Sequence, residues 1–257
     1  MCNGSIMDKL ISFSLPLMLS GILQLMFNAV DIIVVGQFTG SQALAAVGST
    51  TALIAVFTNL FIGISLGANV LAARFYASGK HKEMSETVHT SITLALISGI
   101  IMAFVGLLFS RTALEIMSTP DNVIDQSTLY MRIYFLGMPF FMLYNYGAAI
   151  LRAVGDTKRP LIFLIISGVV NAGLNMILVI VFHLDVEGVA IATVISQFLS
   201  AAYVLLFLEK KAEMKARLLK KKELSGCMEN AKNIISLGTA GVIMLLTVLP
   251  ELKRMEN

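Results

Sequence analysis

Residues 10–35 read LISFSLPLMLSGILQLMFNAVDIIVV. That run exceeds the ~20 mostly apolar residues a helix needs to cross a bilayer. It also exceeds the ~7–15 residues of a cleavable signal's apolar region, so it reads as a membrane span that stays attached. Five more segments of the same kind follow: Ala43–Leu71, Val88–Phe109, Met131–Ile150, Leu161–Phe182 and Val186–Leu208. Each is bounded by polar or turn-forming sequence, such as Thr39-Gly40-Ser41-Gln42 and Ser118-Thr119-Pro120-Asp121. Strand alternation is absent, which sets aside a β-barrel. The expected fold class is an all-α membrane protein, a six-transmembrane-helix bundle over residues 1–209.

Composition agrees. Of 257 residues 57% are hydrophobic and only 14% charged, where a soluble domain carries about 25% charged residues. The net charge of +3 provides no broad basic field, so nucleic acid is not an expected partner. Cys2 and Cys227 lie in polar sequence near opposite ends, and His81, His89 and His183 are dispersed. Neither pattern suggests a disulfide framework or a metal site. No phosphate-binding glycine loop occurs, so an energy source would have to be an ion gradient or a partner.

Lys and Arg set the expected orientation. The connections after spans one and five carry none. The connection after span two holds Arg74, Lys80 and Lys82, and the one after span four holds Arg152, Lys158 and Arg159. Both ends of the lobe are therefore expected on the cytoplasmic face of the cell's inner (plasma) membrane. Residues 210–257 begin with a basic run, Lys210 to Lys222, which reads as a cytoplasmic linker beside anionic lipid. A shorter apolar stretch, Ile234–Leu249, follows as an interfacial helix or a seventh span cut short.

Ionisable and amide side chains inside spans are costly and therefore candidate sites. Gln24, Asn28 and Asp31 are spaced four and three apart and share one face of span one. Such a carboxylate with flanking amides can hold a proton or coordinate Na⁺; the alternative is an Asp hydrated near the helix end. Asn171 and Asn175 share a face of span five, as ligands or as hydrogen-bonding glue between helices. Thr193, Gln197 and Ser200 form a similar stripe in span six. Pro139, with Gly137 and Asn145 nearby, suits a kinked helix lining a cavity. Met18, Met26, Met138 and Met142 would give adaptable walls or lipid-facing filler.

Three stretches together resemble the multidrug and toxic compound extrusion (MATE) family. They are Leu15-Pro16-Leu17 through Asn28 and Asp31 to Val35-Gly36; Leu151-Arg152-Ala153-Val154-Gly155-Asp156-Thr157-Lys158-Arg159-Pro160; and Asn171 and Asn175 followed by Gly188–Thr193 and Ser196-Gln197. The resemblance covers roughly residues 5–209, one lobe of a family whose members have about twelve helices in two lobes. It implies a cation-coupled antiporter, not an enzyme, that expels amphiphilic organic cations. Asp31, with Asn28, Asn171 and Asn175, would handle the coupling ion, Na⁺ or H⁺, with no other cofactor. Gln24, Asn145, Gln197 and Met138 would line the substrate cleft. A lone lobe would need a second wall, from a homodimer or a partner chain. The alternatives are a truncated, non-transporting membrane fragment, or a flippase for lipid-linked precursors.

Overall fold

The computed structural model describes residues 6–210 and 229–239. Within them every regular element is a helix: α1 (Ile6–Phe38), α2 (Ser41–Ala77), α3 (His81–Ile116), α4 (Ile124–Leu136), α5 (Met138–Ala153), α6 (Lys158–Met176), α7 (Val186–Lys210) and a short α8 at 229–239. A π-helical turn, Ile177–Val181, continues α6. Five helices are long and apolar enough to cross a membrane, or six if α4 and α5 form one span bent by 46°. The six expected spans are all present as helices, and most run past the apolar cores that announced them. The basic run after Lys210 and most of the apolar stretch beyond residue 239 lie outside the described residues.

The bend has a local cause. Proline tolerates the first turn of a helix but not its interior, because it lacks an N–H. Pro139 stands in the first turn of α5, Gly137 caps both helices, and the Phe140 N–H reaches only the Gly137 carbonyl, at 3.0 Å. Between α1 and α2 the chain reverses in two residues, which Gly40 permits at φ 93°.

The centre of the bundle is α5, packed against α2, α3 and α7. Every side chain from Met142 to Leu151 is buried, Tyr146 and Ile150 among the most completely enclosed. This core also takes in Ile234 of α8, which is fully buried. Side-chain amides and hydroxyls pin the helices: Asn69 donates to the Ala149 carbonyl at 2.7 Å, and Tyr144 donates to the Pro160 carbonyl at 3.0 Å. Outward faces are strongly apolar, with Met18, Leu25, Phe104 and Leu108 each more than 60% exposed. A soluble monomer could not carry so much contiguous apolar surface; lipid accommodates it.

By contrast, α1 is attached chiefly through α6 and touches α7 little. The approach of α1 to α6 depends on Gly168, where a Cβ would overlap the Phe27 ring. An opening is left between α1 and α2 on one side and α4, α6 and α7 on the other.

Candidate functional site

That opening is a cavity of about 390 Å³. From α1 it is lined by Gln24, Asn28 and Asp31, from α2 by Thr51, Thr58 and Asn59, and from α4 by Tyr130 and Tyr134. From α6 come Ser167, Gly168 and Asn171, and from α7 Thr193, Ser196, Gln197 and Ser200. The polar stripes of three separate helices therefore face one space, within apolar walls that include Leu25, Ile54 and Ile62.

Asp31 is 8% exposed, far from the hydrated end-of-helix position that its place in α1 allowed. Its carboxylate accepts a hydrogen bond from the Asn175 amide, and the same amide donates to Asn171 Oδ1 at 3.3 Å. Asn171 in turn donates to the Thr193 hydroxyl at 3.4 Å. Thr193 spends its own proton on the Val189 carbonyl one turn back, at 3.0 Å. The result is a chain of polar groups from α1 through α6 to α7. Asn175 stands behind Asp31, fully buried and outside the cavity lining, with its Oδ1 unpaired among the described residues. A buried acceptor without a donor is uncommon in a folded protein. It lies beside the Asp31 carboxylate and adds one more oxygen of the kind a hard monovalent cation would accept as a ligand. Protonation of the carboxylate would serve the same balance of charge.

The aromatic wall is a separate feature. Tyr130 and Tyr134, one turn apart on α4, stack with ring centroids 6.3 Å apart and planes inclined by 29°. Ring faces attract cations, and the attraction grows where water is excluded. These two tyrosines, with Thr51, Thr58 and Asn59 of α2, are site residues that reading spans one at a time did not single out. Their i, i+4 and neighbouring spacings were visible, but nothing in α2 or α4 alone says which helix face turns inward.

Asp31, Asn171 and Asn175 are brought together. Gln24, Asn28 and Gln197 line the same cavity, and none of them is hydrogen-bonded to Asp31. Asn28 is exposed, and Gln197 keeps a buried Oε1 without a partner among the described residues. Two expected cleft residues sit elsewhere. Met138 is fully buried in the main core, and Asn145 is buried in α5 with its amide donated to the Phe141 carbonyl at 2.8 Å. The bend at Gly137 turns α5 into the bundle centre, so Met138 and Asn145 pack inside the bundle, while Phe141 and Tyr144 of the same helix reach the cavity wall.

The family profile described as MatE matches residues 16–177. The chain belongs to the MatE family. It is 34% identical over 203 residues to the probable multidrug resistance protein YoeA of Bacillus subtilis, covering 77% of this chain and 44% of that protein. It is 28% identical over 217 residues to the multidrug export protein MepA of Staphylococcus haemolyticus, covering 82% of this chain and 47% of that one. A solved structure described as MATE in the bent conformation superposes with a TM-score of 0.82 at 21% identity, over 95% of this chain and 54% of that chain. The chain thus spans about half the length of the relatives it matches, and its fold is that of one MATE lobe. As a MatE-family chain it is a multi-pass membrane protein of a transporter family.

Proposed function

We propose that this MatE-family lobe takes part in cation-coupled export of amphiphilic organic cations, with Asp31 as the residue that exchanges the coupling ion. The observation that carries the proposal is the burial of Asp31 on the wall of a cavity, hydrogen-bonded across to Asn175. An intramembrane carboxylate facing a cavity is the usual mark of an ion pathway. In the proposed cycle a proton or Na⁺ enters at Asp31, with Asn171 and Asn175 as neighbouring oxygens. The cation discharges the bond that ties α1 to α6, and α1, weakly held elsewhere, shifts relative to the bundle. An organic cation resting against Tyr130 and Tyr134 then loses its attractive carboxylate and leaves. Conversely, bound drug and bound ion compete for one negative charge, which is the differential interaction that couples them.

The second wall of the cleft would come from a further lobe, in the same polypeptide, in a second copy or in a partner chain. Alternating access needs one bundle to rock against another around a central site. The basic connections after spans two and four support a cytoplasmic position for both ends of the lobe. The names of YoeA and MepA, a multidrug resistance and a multidrug export protein, are in keeping with it.

The test is ethidium efflux from a pump-deficient bacterium expressing the chain with whatever second lobe its locus encodes. Asp31→Asn is expected to lower the ion-dependent efflux rate at least tenfold, while membrane levels stay unchanged. Efflux that persists at the wild-type rate in Asp31→Asn would remove Asp31 from the mechanism.

A further inference from the structure

A second recess lies outside the cavity, between the start of α6 and the second turn of α1. It is about 600 Å³, lined by Ser12, Phe13, the turn Val154–Arg159 and Ile162. Three charged side chains border it. Asp156 and Arg159 neutralise one another at 2.5 Å, and the Arg159 guanidinium is further fixed 4.3 Å above the Phe207 ring. Asp156 also accepts the Arg159 backbone N–H at 3.3 Å. Lys158, exposed, is in no ion pair among the described residues. One positive charge is therefore left over in the recess.

Thr157 gives the second observation. It is 5% exposed, it lines the recess, and it stands at the N-cap of α6 without using its side chain as a cap. Its hydroxyl has no hydrogen-bond partner among the described residues. Thr157 lines the recess, so this hydroxyl is open to a ligand there. The backbone N–H groups of Thr157 and Lys158 take no carbonyl either, and Pro160 in the same turn has no N–H to offer. Open donors at the start of a 19-residue helix converge with an ammonium and a hydroxyl. Helix starts favour anions because their N–H groups and dipole point at them. Phe13 and Ile162 supply an apolar flank to the same recess.

We propose that this recess binds a phosphate-bearing anion, held by the Lys158 ammonium, the Thr157 hydroxyl and the first N–H groups of α6. The ligand is either the headgroup of an anionic phospholipid, with its chains along Phe13 and Ile162, or a soluble phosphate. Asp156 stays with Arg159 and does not face the anion as a free charge. The occupant would tie the start of α1 to the α5–α6 turn, independently of the Asp31 cavity.

Native mass spectrometry of the purified full chain in detergent, titrated with phosphatidylglycerol, phosphatidylcholine or inorganic phosphate, tests it. Wild type is expected to retain phosphatidylglycerol over phosphatidylcholine, and Lys158→Gln and Thr157→Val each to weaken that retention by about tenfold, the size of one charge-assisted contact. Retention of inorganic phosphate, weakened by the same substitutions, would assign the site to a soluble phosphate. Equal retention of both lipids with no phosphate bound, or retention unchanged in Lys158→Gln, overturns the proposal. Lys158 is exposed, so its substitution decides the matter even if Thr157→Val fails to fold.

Discussion

Two helices of this bundle bury polar side chains in opposite ways. In α3, Thr87, Thr90 and Ser91 are buried, and each donates to the carbonyl four residues back in its own helix, at 2.8, 2.7 and 2.7 Å. In α6, Asn171 and Asn175 are buried to the same degree, yet their amides reach Thr193 on α7 and Asp31 on α1. The difference is chemical reach. A short hydroxyl can return its proton to the preceding turn and need nothing else. An amide carries two donors and an acceptor, more than its own helix satisfies, which leaves groups free to reach another helix, as those of Asn171 and Asn175 do. These three hydroxyls of α3 are therefore satisfied within their own helix, whereas the two amides of α6 link it to α1 and α7.

The contrast can be broken most forcefully at the packing that brings α1 to α6. Gly168→Leu would place a side chain where the Phe27 ring now lies. Overfilling of this kind costs about 1–3 kcal/mol, and it should separate Asp31 from Asn175. The expected outcome is a clearly lowered melting temperature in detergent together with loss of ion-dependent efflux. Retained efflux would mean that α1 need not touch α6 at this point.

Next in size is Asn175→Ala, which leaves the Asp31 carboxylate buried without its donor. Stranding a buried polar partner costs about 1–3 kcal/mol, to be read from denaturant unfolding in mixed micelles. If α6 behaves as the comparison says, this loss should shrink sharply in an Asp31→Asn background, since the two residues share one interaction. Strict additivity would separate the two residues. The smallest effect belongs to Thr90→Val in α3. Hydrogen bonds inside membrane bundles average about 0.6 kcal/mol, and here donor and acceptor share one helix. Stability should change by less than about 1 kcal/mol and efflux not at all; a large change in either would show that α3 is not a self-contained element.

Much of the architecture was open to inspection in the chain itself. Six apolar runs each announced a helix because the backbone in lipid has to satisfy its own hydrogen bonds. Pro139 after Gly137 marked the place where the fourth span bends. The stripes Gln24–Asn28–Asp31 and Asn171–Asn175 were also legible, since a helical spacing of three or four determines which residues share a face. Met138 and Asn145 show where such inference stops. Both sit by the bend and look suited to a cleft, but the 46° turn aims α5 at the core. Tyr130 and Tyr134 show the converse: nothing polar enough within α4 alone advertises them as cavity wall.

What the amino-acid order determined by itself was the number of apolar spans, their approximate cores and the faces on which their few polar groups lie, because each follows from local spacing and from the cost of an unpaired group in lipid. Which faces meet was decided only in the tertiary structure. Asp31 and Asn175 lie 144 residues apart, and their meeting depends on how Gly168 admits Phe27 and how Gly137 turns α5 aside. Those are matters of volume and angle between helices, which no single helix encodes.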